Sequence, residues 1–524
     1  MVTFRYSRRK STRVGIRTMT VRSLEMKKLL VANRGEIALR IERTCRKLGV
    51  RTVLVYSEPD RESLPLRFAD ERYSLGGAAP SETYLNIPKL IRAALETGCD
   101  AVHPGYGFLS EDEGFVKACE ENHLIFVGPS GNALEKLGSK LLARKTMKEA
   151  GVPVIPGSDE RVEDEEEAVR VSEGIGYPVI LKAVFGGGGR GMRIATTAEE
   201  ARRFFRITRL ESLSAFGRDE IYIEKHLDRP RHVEIQLVAD ERGNVVSLGE
   251  RECSIQRRHQ KLLEEAPSIG VNADIREQLN EAAKKGLLAA GYTNVGTVEF
   301  LLDASGHFYF LEVNKRLQVE HLVTEMTTGV DLVEEQLNVS SSLGLSFSQD
   351  EVRVNGWAIN CRLNAEDPRR NFIPSPGTVI QYQAPAGPGI RVDSALFSGC
   401  TISEYYDSMV AKLAAWGRNR GEAIDRMRVA LDEIQILGVP TTILLHQTLM
   451  RDDRFIRGDF HTTYINHVIP RMKSNFANLE KFAVVAAVTG KMRSPTRLAA
   501  ASVHEGLSKW RLAGRDRWGA TEGR

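Results

Sequence analysis

The chain has 524 residues, of which 42% are hydrophobic and 27% are charged, a composition typical of a globular protein with three or four domains. Its longest apolar run, residues 482–490, is shorter than the roughly 18 residues that a membrane helix needs. Residues 1–28 carry a net charge of +8 and residues 471–524 carry +7, so the overall +4 leaves −11 for residues 29–470. Composition and charge therefore predict no membrane span and no nucleic-acid-binding core.

The six cysteines are scattered and form no Cys-x-x-Cys pair. This spacing argues against a zinc site or a disulfide framework and predicts a reducing, cytoplasmic location. Residues 1–24 are rich in Arg, Ser and Thr and contain no acidic residue, which is typical of a mitochondrial transit peptide. The alternative is translation from Met26, directly before the first clear strand. We favour the second interpretation and leave residues 1–26 out of the fold prediction.

Residues 27–134 alternate between strand and helix patterns. The candidate strands are KKLLVA, RTVLVYS, CDAVHPG and LIFVG, and helices are predicted over NRGEIALRIERTCRKLG and IPKLIRAALETG. Strands separated by amphipathic helices indicate right-handed crossovers and a parallel sheet. We therefore predict an N-terminal α/β domain over residues 27–134, followed by a helical connector over residues 135–152.

Residues 153–227 predict a small α+β module. Two short apolar strands, YPVILKAV and MRIAT, flank the glycine run FGGGGRGM. A glycine-rich run is by default a linker, but at the tip of a hairpin its backbone N–H groups can surround phosphate oxygens. No GK[ST] and no helix follow, which excludes a P-loop and a Rossmann fingerprint. The pattern favours a hairpin lid over a nucleotide, with Lys182 just before the glycines.

Residues 228–470 are rich in strands and carry most of the unusual polar sequence. Within them we predict a core segment over residues 228–345 and a C-terminal domain over residues 346–470. The remaining residues, 471–524, are basic and weakly periodic, which is typical of a docking or disordered tail.

The segment GTVEFLLDASGHFYFLEVN predicts a β-hairpin with its turn signal at residues 303–306. If the loop is residues 304–307, Glu299 lies opposite Glu312 on one face, with Asn314 two residues further along. Two carboxylates and an amide oxygen suit Mg²⁺, which prefers oxygen ligands and shares its coordination with substrate phosphates. The alternative is a surface charge pair.

The stretch LEVNKRLQVEH, residues 311–321, has a polar side chain at every second position from Glu312. One continuous strand would present five of them on a single face: Glu312, Asn314, Arg316, Gln318 and Glu320. Half-buried strands commonly show a polar face to water, so the pattern alone does not require a site. Its combination with a facing metal site favours one.

A third polar stretch, ERECSIQRRHQKLLEEAPS, spans residues 250–268. In isolation its basic cluster is typical of a solvated surface. Beside a metal and phosphate site, His259 and Lys261 become candidate anion ligands.

Eleven motifs, in this order along residues 27–470, together resemble biotin carboxylase, an ATP-grasp enzyme: VANRGEIALRI, HPGYGFLSE, GGGGRGM, IEKHL, PRHVEIQ, QRRHQK, EEAPS, LQVEH, CRLNAEDP, PSPG and YYDSM. The resemblance implies a mixed α/β and α+β fold. Its parts are an N-terminal parallel-sheet (pre-ATP-grasp) domain, an ATP-grasp lid and central domain, and a C-terminal biotin carboxylase domain.

The resemblance also implies a reaction. Bicarbonate attacks the γ-phosphate of ATP to give carboxyphosphate and ADP, and carboxyphosphate then carboxylates a ureido nitrogen of biotin. The implied ATP contacts are Lys140, Lys182, Gly187, Gly188, Gly189, Glu224, Lys225, Leu227, His232, Gln256 and His259. The implied ligands of two Mg²⁺ or Mn²⁺ ions are Glu299, Glu312 and Asn314, and those of bicarbonate are Lys261, Arg316, Gln318 and Val319.

Four residues are implied to be catalytic: Glu320, Arg316, Arg362 and Lys261. Glu320 is the implied general base, and we expect the neighbouring Arg316 to lower the pKa of Glu320 and to polarise bicarbonate. Arg362 is expected to stabilise the enolate oxygen of biotin, while lid closure excludes water. Leu322 replaces the proline that usually follows LQVEH, so the turn after Glu320 need not match the family's.

The sequence contains no Met-Lys-Met biotinylation motif, and the nearest match is GKMRS at residues 490–494. We therefore expect biotin to arrive on a separate biotin carboxyl carrier protein. We also expect a homodimer within a larger complex that includes a carboxyltransferase subunit.

Lys315 and Glu252 resemble the archaeal acyl-CoA carboxylase version, which favours acetyl-CoA or propionyl-CoA as the final acceptor. A two-subunit pyruvate carboxylase is the close alternative, because the carboxyltransferase chooses the acceptor. A carbamoyl-phosphate-type ligase leaves QRRHQK and CRLNAEDP unexplained. A regulatory nucleotide-binding protein without activity leaves the intact Glu320 and Arg362 unexplained.

Overall fold

The structure, a computed structural model, describes residue 24, residues 26–184 and residues 191–474, apart from the side chain of Phe216. The described residues up to Ile469 form one compact unit, and residues 470–474 belong to a second. Within these ranges no helix is both long and apolar enough to cross a membrane. Most of the N-terminal extension, the predicted phosphate ligands Gly187, Gly188 and Gly189, and the tail from residue 475 lie outside the described residues.

The N-terminal region contains a sheet of five parallel strands. Its strands are β1 (Lys28–Val31), β2 (Arg51–Tyr56), β3 (Glu71–Ser74), β4 (Ala101–His103) and β5 (Ile125–Phe126), and the helices of this region are α1 (Gly35–Leu48), α2 (Ile87–Glu96), α3 (Glu113–Glu121), α4 (Gly131–Lys136) and α5 (Lys140–Glu149). The strand order is β3-β2-β1-β4-β5. The central strands are buried on both faces because helices cover the sheet. The predicted N-terminal parallel sheet is confirmed. Strand β3, ERYS, was not predicted, because an edge strand with charged side chains lacks an apolar pattern.

Residues 153–227, the lid, contain a three-stranded antiparallel sheet. The elements are α6 (Glu165–Ile175), β6 (Val179–Ala183), β7 (Met192–Ala195), α7 (Ala198–Phe216) and β8 (Ile221–Lys225), with the strands in the order β7-β6-β8. Strands β6 and β7 form the predicted hairpin around the glycine run. Alternate residues Val179, Leu181 and Ala183 pack with α6 and α7, so the opposite face of β6, which carries Lys182, is left for a ligand.

The largest sheet has eight strands, all antiparallel. These are β9 (Arg231–Ala239), β10 (Val245–Arg257), β11 (Gln260–Ala266), β12 (Asn294–Leu302), β13 (Phe308–Asn314), β14 (Trp357–Asn364), β19 (Ile390–Ser394) and β21 (Met409–Gly417). Their order is β13-β12-β9-β10-β11-β14-β21-β19. Strands from residues 228–345 and from residues 346–470 share this sheet. The polar motifs of both segments therefore meet on one continuous surface.

Helices and short strands surround the large sheet. The helices are α8 (Ala273–Ala290), α9 (His321–Thr328), α10 (Leu332–Ser340), α11 (Arg420–Glu433), α12 (Ile443–Met450) and α13 (Asp453–Arg457), and the short strands are β15 (Glu366–Asp367), β16 (Ile373–Pro374), β17 (Gly377–Thr378), β18 (Gln381–Gln383), β20 (Thr401–Ile402) and β22 (Gln435–Leu437). Helix α8 packs its apolar side on β9 and β12 and closes the core beneath the predicted metal site.

The hairpin β12–β13 has Glu299 opposite Glu312, as predicted, but it reaches this register differently. The turn is one residue tighter than expected, since Leu302 pairs with Phe308, and a β-bulge at Leu311 restores the offset. The bulge also changes which side chains face the core. Phe308 and Phe310 are buried below the sheet, and the extra residue turns Glu312 to the opposite face, where a regular strand would have aimed it into the core.

The prediction of one continuous strand through LEVNKRLQVEH is wrong beyond Asn314. Strand β13 ends there, because the next backbone N–H, that of Lys315, donates to Glu111 Oε1 (2.8 Å) instead of to a neighbouring strand. Arg316 and Gln318 lie in a connecting loop, and Glu320 is the N-cap residue of α9. Leu322 is fully buried in the first turn of that helix, a position where either leucine or proline is compatible with helix formation.

Candidate active site

A cavity of about 880 Å³ lies between the lid and the large sheet. Of the predicted site residues, sixteen line it: Lys140, Lys182, Lys225, Leu227, His232, Gln256, His259, Lys261, Glu299, Glu312, Asn314, Arg316, Gln318, Val319, Glu320 and Arg362. The remaining described one, Glu224, lies behind the wall. Residues that are far apart in the sequence are thus brought to one surface.

Lys261, on β11, contacts three carboxylates. Its Nζ lies 2.5 Å from Glu234 Oε2, 2.7 Å from Glu299 Oε1 and 2.8 Å from Glu320 Oε1. Burial alone would lower the pKa of the ammonium, but the three carboxylates hold the pKa of Lys261 well above its usual value. We call these four residues the Lys261 cluster. Each carboxylate also has a second cationic or imidazole partner, Arg251 for Glu234, Arg362 for Glu320 and His232 for Glu299, so positive and negative groups alternate through the cluster.

The predicted metal ligands lie beside this cluster. Asn314 Nδ2 donates to Glu299 Oε1 (2.7 Å), and His232 Nε2 lies 2.9 Å from Glu299 Oε2. Burial alone would raise the pKa of the Glu299 carboxyl, but the neighbouring Lys261 and His232 hold this pKa well below its usual value. For Glu312, burial and the facing Glu299 raise the pKa. Two carboxylates that repel each other, with an amide oxygen nearby, fit a hard divalent cation.

A second group of metal-type ligands overlaps the first. His232, Glu234 and Glu299 have ligand atoms that all lie within 4.8 Å of one another. This group shares Glu299 with the predicted ligands, whereas the prediction of two ions had Glu312 as the shared ligand.

Glu320, the predicted general base, is buried at the edge of the cavity. Its Oε2 accepts a hydrogen bond from Arg362 Nη2 (2.9 Å), and its Oε1 contacts Lys261. Burial alone would raise the pKa of the Glu320 carboxyl, but Lys261, and to a smaller extent Arg362, hold this pKa well below its usual value. The expectation that Arg316 causes this shift is wrong, because the guanidinium of Arg316 is turned to other partners.

Arg316 reaches back toward the N-terminal region. Its Nε donates to Glu111 Oε2 (3.2 Å), its Nη2 to Asn314 Oδ1 (3.1 Å) and its Nη1 to the Leu317 carbonyl (3.2 Å). These bonds are longer than usual charge-assisted ones. Arg316 therefore lines the cavity with capacity to bind an anion there.

The lid side of the cavity supplies basic groups. Lys182 Nζ donates to Glu224 Oε2 (2.6 Å), and the same carboxylate also contacts Arg144. Burial lowers the pKa of Lys140, at the first turn of α5. Lys225 is turned away, since its Nζ donates to the Gly176 and Tyr177 carbonyls (2.8 and 2.9 Å). Only the backbone of Lys225 is then available to a nucleotide.

A second cavity, of about 510 Å³, adjoins the first. The two share five lining residues: Gln260, Lys261, Arg316, Val319 and Arg362. The rest of its wall includes Tyr106 from the N-terminal region and Tyr405 from the loop after β20. The side chains of Lys261, Arg316 and Arg362 thus lie between two spaces, each large enough for a small molecule.

Three residues of the site were not singled out from the sequence: Glu111, Glu234 and Arg251. Glu111 is the last residue of the motif HPGYGFLSE but was not assigned a role, and Glu234 lies two residues after His232 on β9, hence on the same face. That alternation could have identified Glu234. Arg251 offered no such signal, because its partners come from four distant parts of the chain.

Comparison with known proteins gives the same architecture. The family model of the biotin carboxylase N-terminal domain matches residues 25–134, the carbamoyl-phosphate synthase L chain ATP binding domain matches residues 139–348, and the biotin carboxylase C-terminal domain matches residues 360–467.

Three relatives illustrate the range of similar proteins. The chain is 52% identical over 441 residues to biotin carboxylase 1 of Bacillus subtilis, covering 84% of this chain and 98% of that one. It is 48% identical over 481 residues to a pyruvate carboxylase subunit of Methanothermobacter thermautotrophicus (88% and 98%). It is also 48% identical over 445 residues to the human mitochondrial propionyl-CoA carboxylase alpha chain (84% and 61%).

Among solved structures, the biotin carboxylase domain dimer of Hydrogenobacter thermophilus 2-oxoglutarate carboxylase, in complex with MgADP, ADP and bicarbonate, superposes with a TM-score of 0.82. Its sequence is 47% identical, and the match covers 85% of this chain and 98% of that one. The predicted resemblance is confirmed over most of the sequence. The chain therefore belongs to the biotin carboxylase family of ATP-dependent ligases.

Proposed function

We propose that this protein carboxylates biotin in two steps, one on each side of the Lys261 cluster. The observation that carries the proposal is the pair of adjoining cavities that share Lys261, Arg316, Val319 and Arg362. ATP and bicarbonate react in the larger cavity to give carboxyphosphate and ADP. Biotin enters the smaller one and meets the carboxyl group at the shared wall. The protein thereby acts as the biotin carboxylase subunit of a biotin-dependent carboxylase.

The nucleotide occupies the lid side of the larger cavity. Lys140 and Lys182 bind phosphate oxygens, assisted by His259 and by the glycine run, while Glu224 holds Lys182 in place. His232, Gln256 and the backbone around Leu227 complete this part of the wall. Most of the catalytic contribution is positioning and charge neutralisation at phosphorus.

Glu299, Glu312 and Asn314 hold Mg²⁺ or Mn²⁺, with two ions sharing Glu299 or Glu312. A bound ion neutralises phosphate charge and aligns the γ-phosphate. Its arrival also offsets the repulsion between Glu299 and Glu312, which together with burial raises the pKa of Glu312. Metal binding and the ionisation of this pair are therefore coupled.

Bicarbonate lies between the donors of Lys261, Arg316, Gln318 and the Val319 backbone. Glu320 accepts its proton. With Lys261 and Arg362 beside it, the low pKa of Glu320 makes it a weak base. When Lys261 turns to substrate oxygens, it stabilises the carboxylate of Glu320 less, so the pKa of Glu320 rises toward that of a working base only in the loaded site.

Arg362 acts on both sides of the shared wall. It is fixed by Glu264 Oε1 (2.5 Å from its Nε) and contacts Glu320 through Nη2. Facing the second cavity, it stabilises the enolate oxygen that forms when the ureido nitrogen of biotin gives its proton to the phosphate released from carboxyphosphate. Biotin is delivered on a separate carrier protein.

For the final acceptor we propose an acyl-CoA, acetyl-CoA or propionyl-CoA, with a homodimer of this chain joined to a carboxyltransferase. Support comes from the Lys315 and Glu252 pattern and from the propionyl-CoA carboxylase relative. Neither residue lines either cavity, so neither selects the acceptor directly. Pyruvate is the second candidate, favoured by the relative that matches the largest share of this chain of those compared above.

The test is ADP release from Mg-ATP with bicarbonate and free biotin. The proposal requires turnover that depends on bicarbonate and rises with biotin; ATP hydrolysis indifferent to both would remove it. The acceptor is tested separately, by copurifying the complex and following ¹⁴C from bicarbonate into acetyl-CoA, propionyl-CoA or pyruvate. Label only in pyruvate would replace the acyl-CoA proposal with the second candidate.

A further inference from the structure

Arg251, on β10, is fully buried behind the Lys261 cluster and lines neither cavity. A guanidinium has five N–H donors and no acceptor. All five are bonded here: Nε to Glu234 Oε1 (2.6 Å), Nη1 to Gln236 Oε1 (2.5 Å) and Thr324 Oγ1 (3.0 Å), and Nη2 to Thr297 Oγ1 (3.1 Å) and Gln318 Oε1 (2.7 Å). The partners belong to β9, β12, α9 and the loop before α9.

The first consequence concerns the amide of Gln318. Because a guanidinium only donates, the atom of Gln318 that faces Arg251 has to be the oxygen. The amide nitrogen then points the other way, where it donates to Glu299 Oε1 (3.0 Å) at the edge of the cavity. The opposite orientation would place two donors against each other. Arg251 therefore makes Gln318 a hydrogen-bond donor toward the cavity.

The second consequence concerns Glu234. One of its oxygens is bound by Arg251 and the other lies 2.5 Å from Lys261 Nζ. The carboxylate is consequently held between two cations, and it keeps the Lys261 ammonium within reach of the cavity.

The third consequence concerns α9, which begins directly after Glu320. Arg251 binds Thr324 in the first turns of this helix. The same guanidinium thus ties the loop that carries Gln318 and the helix that follows Glu320 to the strands of the sheet.

We infer that Arg251 is a positioning residue for bicarbonate. It orients Gln318 and, through Glu234, Lys261, whose N–H donors meet at one point, Glu299 Oε1 (3.0 and 2.7 Å), and are therefore placed side by side for the substrate. The inference rests on the proposed function. Lysine cannot replace arginine in this role, because a single ammonium has three donors and cannot reach five acceptors on four elements.

Arg420 offers a matched control for replacing a buried arginine. It is also buried, binds Glu265 on β11 through Nε (2.7 Å) and Nη2 (3.2 Å), and donates to the Phe455 and Ile456 carbonyls. It lines neither cavity. Arg420→Lys therefore removes a comparable set of bonds away from the proposed bicarbonate site.

The experiment compares Arg251→Lys with Arg420→Lys in the full chain, with ADP release measured while bicarbonate and ATP are varied in turn. We expect Arg251→Lys to raise the KM for bicarbonate at least about tenfold with the KM for ATP within about twofold, since misplaced donors remove substrate-specific contacts. Arg420→Lys should leave both values near those of the wild type. Equal KM values for bicarbonate in the two variants would overturn the inference.

If Arg251→Lys gives no cooperative thermal transition, the variant is not folded, and Thr297→Val is used to test the inference instead. This variant removes one acceptor from the same Nη2 that binds Gln318 and preserves side-chain shape. A rise of about threefold in the KM for bicarbonate supports the inference, and an unchanged value overturns it. An inactive wild-type chain would instead overturn the proposed function, whereas an active wild type with unshifted variants overturns this inference alone.

Discussion

The lid and the eight-stranded sheet both contain many ion pairs, but their charges are arranged differently. In the lid, Arg206 pairs with Glu165 through two hydrogen bonds (2.9 and 2.8 Å) on the exposed surface. In the sheet, the single ammonium of Lys261 contacts three buried carboxylates. A broken surface pair is solvated by water, whereas a buried carboxylate that loses its cation has no replacement. Exposed lid pairs such as Arg206–Glu165 can therefore be replaced by water, whereas the buried charges of the sheet hold the reacting groups in place.

The largest effect is expected from the shared wall between the two cavities. Glu320→Gln removes the proposed base and Arg362→Ala removes the group that stabilises the biotin enolate. Each should lower biotin-stimulated ADP release by roughly 10²–10⁴-fold, the usual contribution of positioned proton transfer or charge stabilisation.

The matched control for Glu320→Gln is Glu335→Gln, which changes a buried glutamate on α10 bonded to Ser346 and Asn338 away from the cavities. It should retain activity. Equal losses in both variants would show that the sheet charges act on folding and not on the reaction.

The next largest effect concerns the metal. Glu312→Gln keeps the shape of the side chain but removes a negative charge from the pair with Glu299. The Mg²⁺ concentration needed for half-maximal activity should rise by roughly 10–100-fold, as is usual when the ligand environment of a metal is disturbed. Titration with Mg²⁺ and Mn²⁺ measures this shift. Glu252→Gln, at a buried carboxylate outside both cavities, should leave the metal requirement unchanged.

A smaller effect is expected on stability at acidic pH. His446 is fully buried and contacts the Arg362 carbonyl through Nε2 (2.7 Å), and burial lowers its pKa to about 4. The unfolded chain takes up a proton near pH 6.5, so the free energy of unfolding falls as pH drops from about 6.5 toward 4. Between pH 7 and pH 5 this one group should cost about 2 kcal/mol.

Chemical denaturation at both pH values tests this expectation. His446→Gln should lose about 2 kcal/mol less between pH 7 and pH 5 than the wild type. His307→Gln, at an exposed position, should behave like the wild type. Identical pH dependence in all three proteins would mean that His446 takes up its proton in the folded state.

The smallest effect is expected in the lid. Arg206→Ala breaks an exposed pair with Glu165 and should change the free energy of unfolding by less than about 1 kcal/mol, and less still at high salt. ADP release should stay near the wild-type rate. A large loss of activity would show that the lid charges, too, have defined positions in the working enzyme.

Much of the fold follows from local patterns. Strands buried on both faces alternate with amphipathic helices in the N-terminal region, so the parallel sheet was predictable. The hairpin around the glycine run was equally clear from its two apolar flanks. Motif order then identified sixteen residues that the structure brings around one cavity.

What could not be predicted depends on contacts between distant parts of the chain. Strand β13 stops at Asn314 because Glu111, about 200 residues earlier, accepts the next N–H. The pKa of Glu320 is set by Lys261 and Arg362 from neighbouring strands, and not by Arg316 on its own loop. Arg251 looks like any charged residue in the sequence, since only the assembled sheet brings its five acceptors together.

The bulge at Leu311 limits how this hairpin can change in length. A hairpin loop normally accepts insertions and deletions, because its tip points to solvent. Here the loss of one residue from β13 between Phe310 and Asn314 would shift the register by one and turn either Glu312 from the cavity into the apolar core or an aromatic ring out of it. A residue is needed at position 311 to keep the register, and the leucine there also lines the larger cavity. Among relatives we therefore expect no deletion at this position, and a transplanted copy of the hairpin has to carry the extra residue to keep the Glu312 carboxylate facing the cavity.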